Sequence, residues 1–238
     1  MVSGLAVNLF VGLVLTAVYT ALYSRHESLV GLSRADALTY VWVLRALYSI
    51  FYVPWHWTIA TRIRSGELAV DLVRPRDAFV SLFAFDLGRN SAQLVWTTLP
   101  VLVTGMLLLP LALPDDVLGW AAAPISFLLG TVLGFQVRFL QEALAFATPS
   151  YRGLGRLTLL PLYFLAGFIV PIEFFPAVLR NFAEATPLFG LLTAPVRVVQ
   201  GRDVAWSLAV QLVWAVLLGL ICRWVFSRGV RALELAGG

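Results

Sequence analysis

Lysine is absent from this chain; all 17 basic residues are arginine. No P-loop can therefore form, because its Gly-Lys-Ser/Thr end holds nucleotide phosphates. Schiff-base and lysine-base chemistry are excluded for the same reason. Cysteine is nearly absent: Cys222 stands alone in the last apolar run, so no internal disulfide is possible. The only histidines, His26 and His56, fall at opposite ends of one apolar stretch and cannot share a metal. No His-Glu-x-x-His, Gly-x-Ser-x-Gly or Asp-x-x-Asp-Gly pattern occurs. The adjacent carboxylates Asp115 and Asp116 read as a solvated turn cap with no catalytic role. Charge is scarce too, at 13% of residues against about 25% in soluble domains.

What fills the chain is apolar. Hydrophobic residues make up 60% of its 238 positions, against about 45–50% in a soluble domain. A soluble protein of this length could not hide so much apolar surface, so the expected class is all-α and polytopic in a membrane. The net charge of +4 points to lipid headgroups rather than nucleic acid, because the arginines gather at the ends of apolar runs. The first run opens straight after Met1-Val2-Ser3, without a basic leader or small-residue cleavage site, and is read as a span rather than a signal peptide.

Six spans are expected, at about 20 residues each: residues 4–23, 40–60, 91–109, 118–147, 157–170 and 206–226. Little chain is left for a soluble domain, so residues 1–238 are read as one membrane domain. Pro54 is expected to kink the second span. Residues 78–90 read as an interfacial segment, and Gly130-x-x-x-Gly134 as a close-approach face in span four. Ten arginines fall on one side (62, 64, 74, 76, 89, 152, 156, 223, 228, 231) and five on the other (25, 34, 180, 197, 202). The positive-inside tendency puts the ten, and with six spans both termini, in the cytoplasm.

The most charged window is Thr61–Asp77. At about 100° per residue, Arg64, Glu67, Asp71 and Arg74 share one arc of a helix over 61–74, with Arg64→Glu67 and Asp71→Arg74 as i,i+3 pairs. Pro75 ends it. Such a helix either anchors two neighbouring spans or presents its ridge, with Arg62, Ser65, Gly66 and Leu68, to a soluble partner. Arg45, Arg138 and Glu142 are ionisable residues within apolar spans. Arg138 and Glu142 are four apart, and read either as a self-neutralising pair or as a functional contact. Arg45 either snorkels to the outer interface or meets a carboxylate on another helix. After span five, Pro171-Ile-Glu-Phe-Phe-Pro176 ends the helix abruptly, marking Pro171, Glu173, Phe174, Phe175 and Pro176. Two short apolar runs then follow, bounded by Pro187 and Pro195, and neither can cross a bilayer. They are expected to dip into the outer leaflet as a re-entrant pair.

Together the charged helix after span two, the Pro-bracketed pair before the last span and the missing ATP site resemble the permease subunits of bacterial type-2 ABC exporters. The form resembled is the small one whose ATPase is a separate polypeptide. The residues that carry the resemblance are Ile63-Arg-Ser-Gly-Glu-Leu68, Leu72-Val-Arg-Pro75, Asp86-Leu-Gly-Arg89, Pro171-Ile-Glu-Phe-Phe-Pro176, Pro187-Leu-Phe189, Pro195-Val-Arg197 and the closing Leu233-Glu-Leu-Ala-Gly-Gly238. The resemblance implies a multi-pass protein of the bacterial inner membrane, pairing with a second permease, alike or related, above two ABC ATPase subunits. ATP and Mg would bind the ATPases, with no cofactor on this chain. Arg62, Arg64, Ser65, Gly66, Glu67, Leu68, Asp71 and Arg74 would couple ATP-driven motion to the membrane, and residues 171–176 would form the outer gate. Such permeases usually carry an amphipathic helix ahead of span one, where this chain begins almost at once with the span. Aromatic side chains (Phe10, Trp42, Phe51, Trp55, Phe164, Phe168) read either as the lining for an amphipathic or hydrophobic substrate or as core packing and lipid contact, which predict the same residues. The rival class is a membrane enzyme or scaffold without an ATPase, which needs polar groups converging at one depth; Arg45, Arg138, Gln141 and Glu142 are the candidates.

Overall fold

The structure, a computed structural model, describes residues 2–25, 28–51 and 58–236. His26, His56, Pro54 and Trp55, and the kink expected at Pro54, lie outside the described residues, as does the side chain of Phe51. The fold is nearly all helical. Its twelve α-helices among the described residues are α1 (Val2–Leu22), α2 (Arg34–Phe51), α3 (Thr58–Ser65), α4 (Glu67–Leu72), α5 (Ala78–Gln93), α6 (Leu99–Leu108), α7 (Val117–Glu142), α8 (Tyr151–Leu165), α9 (Ala177–Ala185), α10 (Pro187–Leu191), α11 (Thr193–Val199) and α12 (Val204–Ala236). One departure from an all-α chain is a two-residue hairpin, β1 (Ser28–Leu29) with β2 (Leu32–Ser33), turned by Val30 and Gly31 at positive φ.

Four helical stretches are long and apolar enough to cross a membrane: Gly4–Leu22, Ala78–Leu108, Val117–Phe146 and Val204–Leu233. The chain is thus a multi-pass membrane protein by helix length and composition. α2 has the length but carries Arg34, Asp36 and Arg45, and α8 has only 15 residues.

Several boundaries differ from the sequence reading, each for a local reason. α2 starts at Arg34, not Tyr40, because Ser33 and Asp36 form a reciprocal cap. The Ser33 hydroxyl accepts from the Asp36 amide at 3.1 Å, and the Asp36 carboxylate accepts from the Ser33 amide at 2.9 Å. Ala60, expected in span two, belongs to α3. Residues 78–90 are not a separate interfacial piece. They open a 31-residue helical run to Leu108, which passes through one π-helical segment (Leu94–Thr98) just before Pro100. Proline brings no amide hydrogen to the ladder, and a wide turn beside it accommodates that loss. α8 begins at Tyr151, six residues before the start expected for span five. It stops before Gly167, whose φ of 81° suits glycine. The stretch after Pro176 makes three short helices rather than two, and every residue of α11 is buried.

α2 is the hub. From Ala37 to Leu47 its residues are buried on every face, with α1, α6 and α11 packed around it. Trp42 is fully buried there, so it is core and not a pathway lining. Its indole N–H donates to Thr16 at 2.9 Å, and its ring lies where a Cβ on Gly105 would sit. α12 packs along α7. Gln211 clasps the two together, donating to the carbonyls of Ser126 (2.9 Å) and Gly190 (2.8 Å) and accepting from the Ser126 hydroxyl (2.7 Å). The outward faces of α1 and α12 carry Phe10, Val14, Val216 and Leu220 in the open, as lipid-facing helices do.

Candidate functional site

The charged window is two helices, not one. Gly66 adopts φ 80° and breaks the run into α3 and α4. This geometry is left-handed and opposed in residues with a Cβ. The turn removes the expected Arg64–Glu67 pairing. Instead Arg62 reaches across the break to Asp71 and, at 4.0 Å, to Glu67, while Arg74 lies 3.7 Å from Asp71. Asp71 is consequently buried, not part of an exposed ridge. Ile59, Ala60, Ile63 and Leu68 are buried against Phe135 and Phe139 of α7, Phe226 of α12 and Tyr151 of α8. Phe79 of α5 meets Phe139 edge-on at 5.2 Å. The outer side of the unit leaves Arg64, Ser65, Gly66, Glu67 and Arg74 exposed.

A polar brace ties this unit to the membrane helices. Glu142, the last residue of α7, accepts through one oxygen from the backbone amides of Ile59 (2.6 Å) and Ala60 (2.9 Å). The first amides of a helix have no partner within it, and a carboxylate there also meets the positive end of the helix dipole. One turn back on α7, Arg138 donates to the carbonyl of Ile50, at the end of α2, at 2.9 Å. A cation at a helix C-terminus is the complementary arrangement. Residues four apart on one helix thus hold the two helix ends that flank residues 52–57. Arg138 also pairs with Asp86 of α5 at 2.6 Å, and Asp86 accepts from Arg89 (2.5 Å) and Asn90 (2.8 Å). Among the described residues Arg138 and Glu142 form no ion pair with each other.

The exit of the unit is held as well. Asp77 caps α5 by accepting from the Val80 amide at 3.0 Å, and it pairs with Arg223 of α12 at 2.5 Å. The hydrogen bond from Arg223, then that from Val80, keeps the Asp77 carboxyl below its ordinary range.

At the other end of the molecule Arg197 of α11 gathers Glu184 of α9 at 2.6 Å, Glu173 at 3.3 Å and Asp203 at 3.9 Å. Pro171, Glu173 and Phe175 are buried, Phe174 is half-buried and Pro176 exposed. Phe175 stacks on Phe164 of α8 at 4.7 Å. The Tyr40 hydroxyl donates to the Gly167 carbonyl, and Thr193 donates to that of Ala166 at 3.0 Å. These contacts fasten the end of α8 to α2 and α11.

The structure therefore separates the marked residues into three places. The charged unit, Arg138 and Glu142 meet at one junction; residues 171–176 lie at the opposite end; Arg45 stands apart in α2. Among the described residues Arg45 meets no carboxylate. It is buried, with its guanidinium carbon 4.8 Å from the ring centres of Tyr48 and Phe168. Gln141, also weighed for a polar centre, bonds Thr158 of α8 at 2.8 Å. Asp77, Arg223 and Arg197 were not singled out in sequence as site residues, since each is one charge among others at a helix end. Asp86 with Asn90, i and i+4 in a largely apolar run, was the available signal for the α5 partner. No group of three or more His, Cys, Asp or Glu placed for a metal is found among the described residues.

A family model described as ABC-2 family transporter protein matches residues 9–237, and the chain belongs to that family. No curated protein and no solved structure matches it.

Proposed function

We propose that this ABC-2 family chain is the membrane-spanning permease subunit of an ATP-driven exporter. It pairs with an identical or related permease and takes its energy from two separate ABC ATPase subunits, which bind the ATP and Mg. In this reading six helices span the bacterial inner membrane: α1, α2, the α5–α6 run, α7, α8 and α12. Both termini and α3–α4 face the cytoplasm. Residues 171–199 form the outer gate as short elements that enter the outer leaflet and return. The cargo is amphipathic or hydrophobic.

The observation that carries the reading is the Glu142 carboxylate on the first amides of α3. A push on the exposed side of α3–α4 has a rigid route into α7 through Glu142, and from α7 into α2 and α5 through Arg138. A membrane enzyme would need its polar groups free for a reactant, whereas Arg138 and Glu142 are spent on helix ends and on Asp86. The test is affinity capture of the C-terminally tagged chain from its native host in mild detergent. A stoichiometric soluble ATPase should come down with the wild type and be lost with Glu67→Arg. Capture of the chain alone would remove the motor and the reading with it.

A further inference from the structure

Among the described residues Arg45 is a buried cation without an anion. It is 9% exposed, and its Nε has no hydrogen-bond partner. It stands in the body of α2, eleven residues after Arg34 and six before Phe51. Aromatic faces at 4.8 Å stabilise a guanidinium only in part, and an ion taken out of water is costly unless paired.

Among the described residues no carboxylate reaches Arg45. Asp86 holds Arg138 and Arg89, Glu142 holds the α3 amides, Glu173 and Glu184 hold Arg197, and Asp71 holds Arg62. Residues 52–57 contain no acid. The counter-charge is left to another molecule. The surroundings indicate its form: Tyr48 and Phe168 are half-buried, and Phe168 leads into exposed Ile169 and Val170. Leu157 and Leu160 of α8 are exposed apolar residues as well.

We propose that Arg45, flanked by Tyr48 and Phe168, binds the anionic head of an amphiphile, a phosphate, sulfate or carboxylate whose tail lies along α8. A guanidinium can grip such a head through two parallel N–H bonds. The proposal rests on the permease reading only for the fate of the bound molecule.

The test is thermal unfolding of the purified chain in dodecyl maltoside, with dodecyl phosphate as probe and dodecylphosphocholine as its zwitterionic counterpart. A ligand that binds only the folded state raises Tm, by about 5 °C at roughly 100 times its Kd. Wild type should respond to dodecyl phosphate and not to the phosphocholine. Arg45→Gln should lose the response, Arg45→Lys keep part of it, and Arg228→Gln keep all of it. An equal shift in Arg45→Gln, or no preference for the anionic probe in wild type, would overturn the assignment. If Arg45→Gln does not fold, the wild-type preference and its weakening in Arg45→Lys decide.

Proteoliposomes containing the captured ATPase then separate two sources of the same chemistry. Stimulated hydrolysis with loss of probe identifies cargo, and binding without stimulation identifies a resident anionic lipid; both leave Arg45 as the site. Failure to capture an ATPase bears on the permease reading alone, since the unfolding assay needs none.

Discussion

Glu142 caps a helix it does not belong to: its carboxylate lies 2.6 Å from the amide nitrogen of Ile59, at the start of α3. Removing it leaves two buried amides unpaired, at about 1–3 kcal/mol each. Glu142→Ala should lower transport by about 10-fold or more, while hydrolysis by the attached ATPase falls far less. Glu142→Gln, which keeps an acceptor oxygen, should lie between. Parallel transport and hydrolysis rates in proteoliposomes check this; equal losses in both would point to simple misfolding.

Arg138 and Asp86 should behave as a unit. Breaking a buried pair from one side costs about 3–5 kcal/mol, whereas replacing both partners with apolar groups is often close to neutral. Arg138→Met and Asp86→Leu should each depress the unfolding midpoint, and the double variant should recover much of the loss. The same cycle on Arg138 and Glu142 should show weaker coupling, since Glu142 bonds the α3 amides instead.

Gly105→Ala should destabilise the chain by about 1–3 kcal/mol through overpacking. The added methyl would meet the Trp42 ring at 2.8 Å. Trp42 is fully buried in the central helix and cannot retreat. Detergent-phase unfolding midpoints measure the effect, and Gly4→Ala, where the added atom meets nothing within 4 Å, is the control.

Asp77 titrates below its ordinary range because of Arg223 and the Val80 amide. A carboxyl depressed in the folded state stabilises fully above its unfolded pKa and ceases to do so as pH falls through the folded one. The difference in Tm between wild type and Asp77→Asn should therefore hold steady from pH 8 to 5 and shrink below about pH 4. A difference that already changes between pH 8 and 6 would contradict the assignment.

The membrane class, the apolar helices and the charged unit after α2 were legible because they rest on composition and periodicity. Arg138 and Glu142 stood out because ionisable groups in an apolar run are costly. Their partners did not stand out: Ile50 offers only a carbonyl and Ile59 and Ala60 only amides, which every residue but proline carries. The break at Gly66 was hidden because periodicity continues across it, and a left-handed glycine leaves no mark on a helical wheel. Asp71 looked like part of a solvated ridge until that break turned it inward to Arg62. Trp42 read equally as lining or core, and only its contacts with Thr16 and Gly105 separate the two.

The most direct measurement is photo-cross-linking from the α3–α4 unit in native membranes. A benzoylphenylalanine placed at Ser65, exposed beside Gly66, should form an adduct with an ATP-binding subunit. The same probe at Val117, 85% exposed at the far end of α7, should form none. An adduct from Ser65 that disappears with Glu67→Arg would establish the docking surface. No adduct from Ser65, or equal adducts from both positions, would contradict the account.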